Sequence, residues 1–163
     1  MPEKKVVLVV GSGGDTAAQW ADAGYSVVRL DIDPRACPDI VANMTDVGEI
    51  GPYDAVYCSH ALEHIYPHEV PIALNEFMRV LEPDGSAVIM VPDLEGIQAN
   101  DTVLYGEGEQ SVTGLDLIYG LGVTIKMSPY WAHHTGFVTT TLQSALAKAG
   151  FGGGAWEAPP SPS

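Results

Sequence analysis

The chain has 163 residues, 46% of them apolar, and a formal charge of −14 with only 7 Lys and Arg. That length supports one domain around one substantial core, and the apolar fraction argues for a globular protein. The charge excludes a nucleic-acid backbone as partner, because counterion release needs clustered basic residues, and it gives no attraction to anionic lipid.

No signal peptide and no apolar run of membrane-spanning length is present, so the expected location is the cytoplasm. Cys37 and Cys58 form no spacing motif and are expected as reduced thiols in or near the core.

Val6-Val7-Leu8-Val9-Val10 reads as a strand buried on both faces, the mark of a parallel sheet. It runs into Gly11-Ser12-Gly13-Gly14, which permits a sharp turn and leaves backbone N–H groups open to a close-lying ligand. Residues 16–23 then look helical, with Ala17, Ala18, Trp20 and Ala21 as the inner face. Strand, glycine turn and helix open a nucleotide-binding βαβ unit.

Residues 25–30 form a second β-rich run, which ends in Asp31-Ile32-Asp33-Pro34. Asp31 falls where such folds place the acid that accepts hydrogen bonds from ribose hydroxyls. The dinucleotide pattern G-x-G-x-x-G fails at Thr16, and Asp15 at the helix entrance would repel a pyrophosphate. S-adenosylmethionine has an adenosine without phosphate, and its sulfonium and ammonium tolerate a carboxylate. Electrostatics therefore favour that methyl donor over NAD.

Too few residues separate Pro34 from the next apolar run, Ile40-Val41-Ala42, for a normal crossover, so the helix there is expected to be missing or reduced to one turn. Asn43 and Met44 follow at that strand's carboxyl end. Residues 53–58 read as the fourth strand and lead into Ser59-His60-Ala61-Leu62-Glu63-His64. Val70, Leu74, Phe77, Met78 and Leu81 then mark one stripe of a helix over 68–81, with Pro71 in its first turn. Pro83-Asp84-Gly85 turns the chain, and residues 86–91 give the fifth strand. Residues 94–130 lack periodicity, with a short helix expected over 116–121. An excursion there is well placed to cap a substrate.

Gly11-Ser12-Gly13, Leu30-Asp31-Ile32-Asp33, Tyr53-Asp54-Ala55-Val56 and Ser59-His60-Ala61-Leu62-Glu63-His64 together resemble a class I S-adenosylmethionine-dependent methyltransferase of the type 11 kind. Glu76-Phe77-Met78-Arg79-Val80-Leu81-Glu82-Pro83-Asp84-Gly85 is similar to that family's helix and the turn after it. His133-His134-Thr135-Gly136-Phe137 and Leu146-Ala147-Lys148-Ala149-Gly150-Phe151 resemble its last helix region.

The resemblance implies an α/β, three-layer, doubly wound, mostly parallel sheet: a Rossmann-like methyltransferase fold. It implies S-adenosyl-L-methionine as cofactor, an enzyme, and a small-molecule or glycan-precursor acceptor. Gly11, Ser12 and Gly13 would pass under the methionine part, Asp31 would hold the ribose, and Ile32, Asn43 and Met44 would surround the adenine. Ser59 and His60 would line the methyl end. His60 is the first candidate base for a hydroxyl acceptor and His133 the second.

Three departures qualify the match. Val9 stands where the family has an acid that contacts the methionine amino group, and Asp15 replaces the third glycine. The family's two further strands also have little chain left, since residues 152–158 supply one at best before the Pro/Ser tail at 159–163. The domain is therefore read as 1–158, with a truncated sheet whose fifth strand needs cover from 152–158, from the excursion or from a second copy in a homodimer.

Two rival readings stand beside this one. A non-catalytic protein of the same fold would bind the ligand without turnover. His60-Ala61-Leu62-Glu63-His64 also matches H-x-x-E-H, a zinc-hydrolase motif that needs both histidines on one helical face. His60 directly follows a strand, so no metal is expected.

Overall fold

The computed structural model describes residues 3–154. Its main sheet has five strands in the order β3-β2-β1-β4-β5. These are β1 Val6–Val10, β2 Ser26–Asp31, β3 Ile40–Val41, β4 Tyr53–Ser59 and β5 Leu81–Met90. Every pairing is parallel. β1 and β4 lie inside the sheet, which is why their sequences are continuous apolar runs.

The two faces are covered unequally. On one, Leu8, Val10, Val56 and Cys58 pack with Val70, Ala73, Leu74 and Phe77 of helix α2 (Val70–Arg79) and Leu142 of helix α5 (Thr139–Ala149). Full burial of side chains as large as Leu74 and Phe77 contributes roughly 1.5–3 kcal/mol each. On the other, among the described residues, Val7, Val9, Ala55 and Tyr57 pack with Ala17, Trp20, Tyr25 and Val27. Trp20 packs edge-on against Tyr25 and Tyr57, with ring centroids 5.0 and 5.7 Å away. The second helical layer is thin because helix α1 is only Ala18–Asp22. It begins later than the expected residue 16 because Ala17 adopts a left-handed conformation, φ 50°.

The crossover between β2 and β3 is one 3-10 turn, Pro34–Ala36, as the short spacing requires. Helix α2 ends before Leu81 because that residue pairs with Tyr53 at the start of β5. The chain bulges over the expected Pro83-Asp84-Gly85 turn, and regular pairing resumes where Ser86 meets Ala55. Gly85 is required there: a Cβ would come within 2.9 Å of the Glu82 carbonyl oxygen. Cys58 is buried as expected, and burial pushes its thiol pKa up; Cys37 is exposed, contrary to expectation, on the surface turn after Pro34–Ala36.

The 94–130 excursion has structure of its own. Strands β6 (Val103–Tyr105) and β7 (Val112–Thr113) pair antiparallel, and helices α3 (Gly114–Tyr119) and α4 (Gly122–Met127) follow. A Thr113–Asp116 capping box starts α3. The excursion adds no strand to the main sheet, and among the described residues none lies on the outer edge of β5. Of the run 152–158, only 152–154 are described, and they form no strand. Among the described residues no helix is long and apolar enough to cross a membrane.

Candidate functional site

β1 has β2 on one side and β4 on the other, so the chain leaves its carboxyl end at the point where the strand order reverses. A crevice opens there in doubly wound sheets. Gly11 and Gly13 take the left-handed conformations, φ 65° and 50°, that form the turn. The Gly11 and Ser12 N–H groups donate to the Leu30 carbonyl at 2.9 and 3.2 Å, tying the turn to β2. The Gly13 N–H donates to Asp31 Oδ2 at 2.7 Å, and the Asp33 N–H donates to Asp31 Oδ1 at 2.8 Å. Asp31 is buried, and each of its oxygens retains a lone pair for a ligand hydroxyl.

Beside this carboxylate, the buried Ser12 Oγ has no hydrogen-bond partner. Asp15 Oδ1 accepts the Ala17 N–H at 2.8 Å, which fixes a negative charge at the mouth of α1. The residues expected around the adenine lie just after β2 and β3. Ile32 is exposed, and Asn43 and Met44 are half-buried just beyond β3. Asn43 Oδ1 accepts the Thr45 N–H at 3.0 Å. Val9, at the position of the missing acid, is buried with Ala55 and Tyr57 instead.

At the end of β4, Ser59 is half-buried and His60 exposed. The His60 N–H donates to the Met90 carbonyl at 2.9 Å, and the residue then turns out of the strand with φ 48°. Its Nδ1 lies 3.5 Å from Glu63 Oε1, and the Glu63 carboxylate raises the His60 pKa above the ordinary histidine value. His60 therefore holds its proton more firmly than its bare sequence position suggests. No helix presents His60 and His64 together, because Leu62–His64 is a single 3-10 turn. The H-x-x-E-H arrangement of zinc hydrolases is not formed.

His133 approaches from the other side of the fold. The His134 and Thr135 N–H groups donate to the Glu63 carbonyl at 2.8 and 3.1 Å, stitching residues 132–135 to the turn after β4. His133 is pinned by α3: its N–H donates to the Tyr119 carbonyl at 3.0 Å, and its Nδ1 lies 2.9 Å from the Leu117 carbonyl. Burial lowers its pKa, against the Leu117 carbonyl and the Glu63 charge. The His133 and His64 rings meet edge to face at 4.9 Å. His134, by contrast, stacks on Tyr66 at 4.3 Å and is a packing residue.

Trp131 lies 6.0 Å from the His64 ring and also beside the glycine turn, where a Cβ on Gly13 would sit 3.7 Å from Trp131 Cη2. Gly11, Gly13, Asp31, His60 and the His64–His133 pair thus share one edge of the sheet. Sequence reasoning singled out His60 and His133 but missed that His64 joins His133, because no spacing rule connects positions so far apart. A groove of about 490 Å³ between α2 and α5 is lined by Val70, Asn75, Thr141 and Lys148 and reaches Thr135.

Residues 8–89 match the family model described as a methyltransferase domain. No curated protein matches the chain. Several solved structures share the fold. A SAM-dependent methyltransferase from Archaeoglobus fulgidus is 18% identical with a TM-score of 0.61, over 91% of this chain and 61% of its own. The Burkholderia thailandensis 1,6-didemethyltoxoflavin-N1-methyltransferase, solved with 1,6-didemethyltoxoflavin and S-adenosylhomocysteine, is 17% identical with a TM-score of 0.58, over 90% of this chain and 60% of its own. An S-adenosylmethionine-dependent methyltransferase from Mesorhizobium loti is 19% identical with a TM-score of 0.60, over 92% and 76%. The chain thus spans about three fifths of the length of the first two.

Proposed function

The chain belongs to the methyltransferase-domain family matched by residues 8–89, and we propose that it transfers a methyl group from S-adenosylmethionine to a small-molecule acceptor. The observation that carries this reading is the buried Asp31 carboxylate, held by the Gly13 and Asp33 N–H groups at the strand-order reversal, beside the unpartnered Ser12 Oγ. An adenosine ribose offers hydroxyls to such an acid, and Asp15 at the mouth of α1 disfavours a pyrophosphate.

In this reading each residue has a role. Gly11 and Gly13 let the backbone approach the methionine part, with Ser12 Oγ as a polar contact. Asp31 accepts from the ribose hydroxyls. Ile32, Asn43 and Met44 bound the adenine, and Ser59 and His60 line the end where the methyl is presented. The cofactor supplies an electrophilic methyl on a sulfonium, so the protein's task is alignment and exclusion of water. His60, exposed to the crevice, accepts the acceptor's proton once it is itself neutral, and Glu63 steadies the charged form. Trp131 lies beside Gly13, and the 94–130 excursion caps the acceptor side.

Val9 favours a second reading, binding without turnover, because its buried side chain replaces the acid that would contact the methionine amino group. Calorimetry with S-adenosylmethionine, S-adenosylhomocysteine and NAD tests the ligand. Tighter binding of NAD than of either adenosyl compound would refute the proposal. Release of S-adenosylhomocysteine with a panel of hydroxyl and amine acceptors then separates enzyme from binding protein.

A further inference from the structure

Glu63, His64 and His133 each bring one potential ligand atom within 4.8 Å of the other two. The arrangement joins two distant segments, the 3-10 turn after β4 and the loop before α5, and the methyl-transfer reading uses only the Glu63 oxygen that faces His60. Three observations make it more than proximity.

First, Glu63 is 2% exposed, and its Oε2 is buried with no hydrogen-bond partner. An unpaired carboxylate oxygen is costly in such a place and calls for a cation or a donor. His60 faces the other oxygen, Oε1, at 3.5 Å, and leaves Oε2 free.

Second, both imidazoles are oriented by the backbone. His64 Nδ1 lies 3.1 Å from the Ala132 carbonyl and His133 Nδ1 lies 2.9 Å from the Leu117 carbonyl. A carbonyl can only accept, so Nδ1 carries a proton in both rings, and the nitrogen available to a metal on each neutral ring is Nε2. Metal-binding histidines are held by this same outer hydrogen bond.

Third, the donor set is chemically selective. Two imidazole nitrogens and one carboxylate oxygen suit a divalent first-row transition metal of the zinc type, whereas Mg²⁺ and Ca²⁺ favour all-oxygen sites. Tetrahedral zinc, with bonds of about 2.0–2.1 Å, spaces its ligands about 3.3–3.4 Å apart. One ligand atom from each residue already lies within 4.8 Å of the other two, so side-chain rotations that close at most about 1.5 Å reach that spacing.

We infer that Glu63 Oε2, His64 Nε2 and His133 Nε2 bind one divalent transition-metal ion, which clamps the loop carrying His133 to the turn after β4. This departs from the sequence-based expectation of no metal, which considered only His60 with His64 as a helical pair. It shares Glu63 with the proposed methyl-transfer site, where that carboxylate faces His60 through Oε1, but takes no ligand atom from the glycine turn or Asp31.

The test uses tag-free full-length protein stripped with chelator and titrated with Co²⁺ and, in parallel, with Zn²⁺ and Mg²⁺. The expected result is a visible Co²⁺ absorption band saturating at one ion per chain and displaced by Zn²⁺, with no response to Mg²⁺. Zn²⁺ at about a hundredfold above its dissociation constant should raise the melting temperature by about 5–10 °C. Glu63→Gln, His64→Ala and His133→Ala should each weaken Co²⁺ binding by at least about a hundredfold, since even outer-shell changes cost 10–100-fold. His68→Ala, at an exposed histidine outside the cluster, should leave binding unchanged. Failure of the unmodified protein to bind one Co²⁺ per chain overturns the inference, whether or not the variants fold. Undiminished binding by folded His133→Ala overturns it as well.

Discussion

The Gly13 N–H and the Asp31 Oδ2 atom, 18 positions apart in sequence, are joined by a 2.7 Å hydrogen bond that links the glycine turn to the end of β2. The residue that would recognise a ribose therefore also shapes the turn beneath it. Asp31→Ala should weaken S-adenosylhomocysteine binding by about 1.5–3 kcal/mol, the range for hydrogen bonds to a charged group. Amide exchange at Gly13 should quicken in the same variant. Calorimetry and hydrogen exchange check the pair, and a loss of affinity with unchanged Gly13 exchange would uncouple the two roles.

Gly11 has φ 65°, and a Cβ there would overlap the Ala61 Cβ. Gly11→Ala should cost about 1–3 kcal/mol of stability from backbone strain alone, and more from the collision with β4's continuation. Urea denaturation measures this, and an unchanged midpoint would mean that the turn has room the structure does not show.

Glu76 and Arg79 staple α2 to the loop before β4. Glu76 Oε2 accepts the Val47 N–H at 3.0 Å, and Arg79 reaches the Gly48 carbonyl at 2.8 Å. The Arg79 guanidinium and the Val47 N–H hold the Glu76 carboxyl below its ordinary pKa of 4.5. A depressed folded-state pKa contributes stability above the unfolded value and loses it as pH falls through the folded one. Glu76→Gln should therefore be less stable than the parent near pH 7, and the gap should close below pH 4.5. Arg79 is partly exposed, so the gap should not exceed about 1 kcal/mol. Denaturation midpoints across pH 3–7 read it, and a gap that widened toward acid would reverse the sign.

The Met90 carbonyl accepts from His60 toward β4, so the alternation of the strand turns the Ala87 and Ile89 backbone groups to the outer edge. Among the described residues no strand covers this apolar edge, and an edge of this kind invites pairing. Slow amide exchange at Ala87 and Ile89 is the expected outcome if the edge is covered, within one chain or by a second copy. A dilution series distinguishes the two, because only a second copy makes protection depend on concentration. Free-peptide rates at every concentration would mean that the edge stands open.

What the sequence made legible was the part where local pattern and burial agree. β1 and β4 are buried on both faces, so their apolar runs need no partner to be recognised. The short link after Pro34 left no space for a helix, and a single 3-10 turn fills it. The start of α1 was misread because the left-handed Ala17 is set by tertiary contact in the Val7–Tyr57 cluster, not by propensity. Likewise, β5 begins at Leu81 because Tyr53 pairs with it across the sheet. The His64–His133 meeting was illegible for a plainer reason: the ring of His64 is held by Ala132, 68 positions later, and only the folded excursion brings that loop home.

Trp131 stands between the glycine turn and His64, with one side near each. Its indole is therefore a native optical probe for two different events. A ligand entering over Gly13 changes the polarity around the ring, while a cation on His64 changes the charge at its edge. Trp20, packed between Tyr25 and Tyr57, remains as a marker of the intact fold. In a Trp156→Phe background, emission titrations with S-adenosylhomocysteine and with Zn²⁺ would follow both occupancies without any added label, and order of addition would reveal whether one site feels the other.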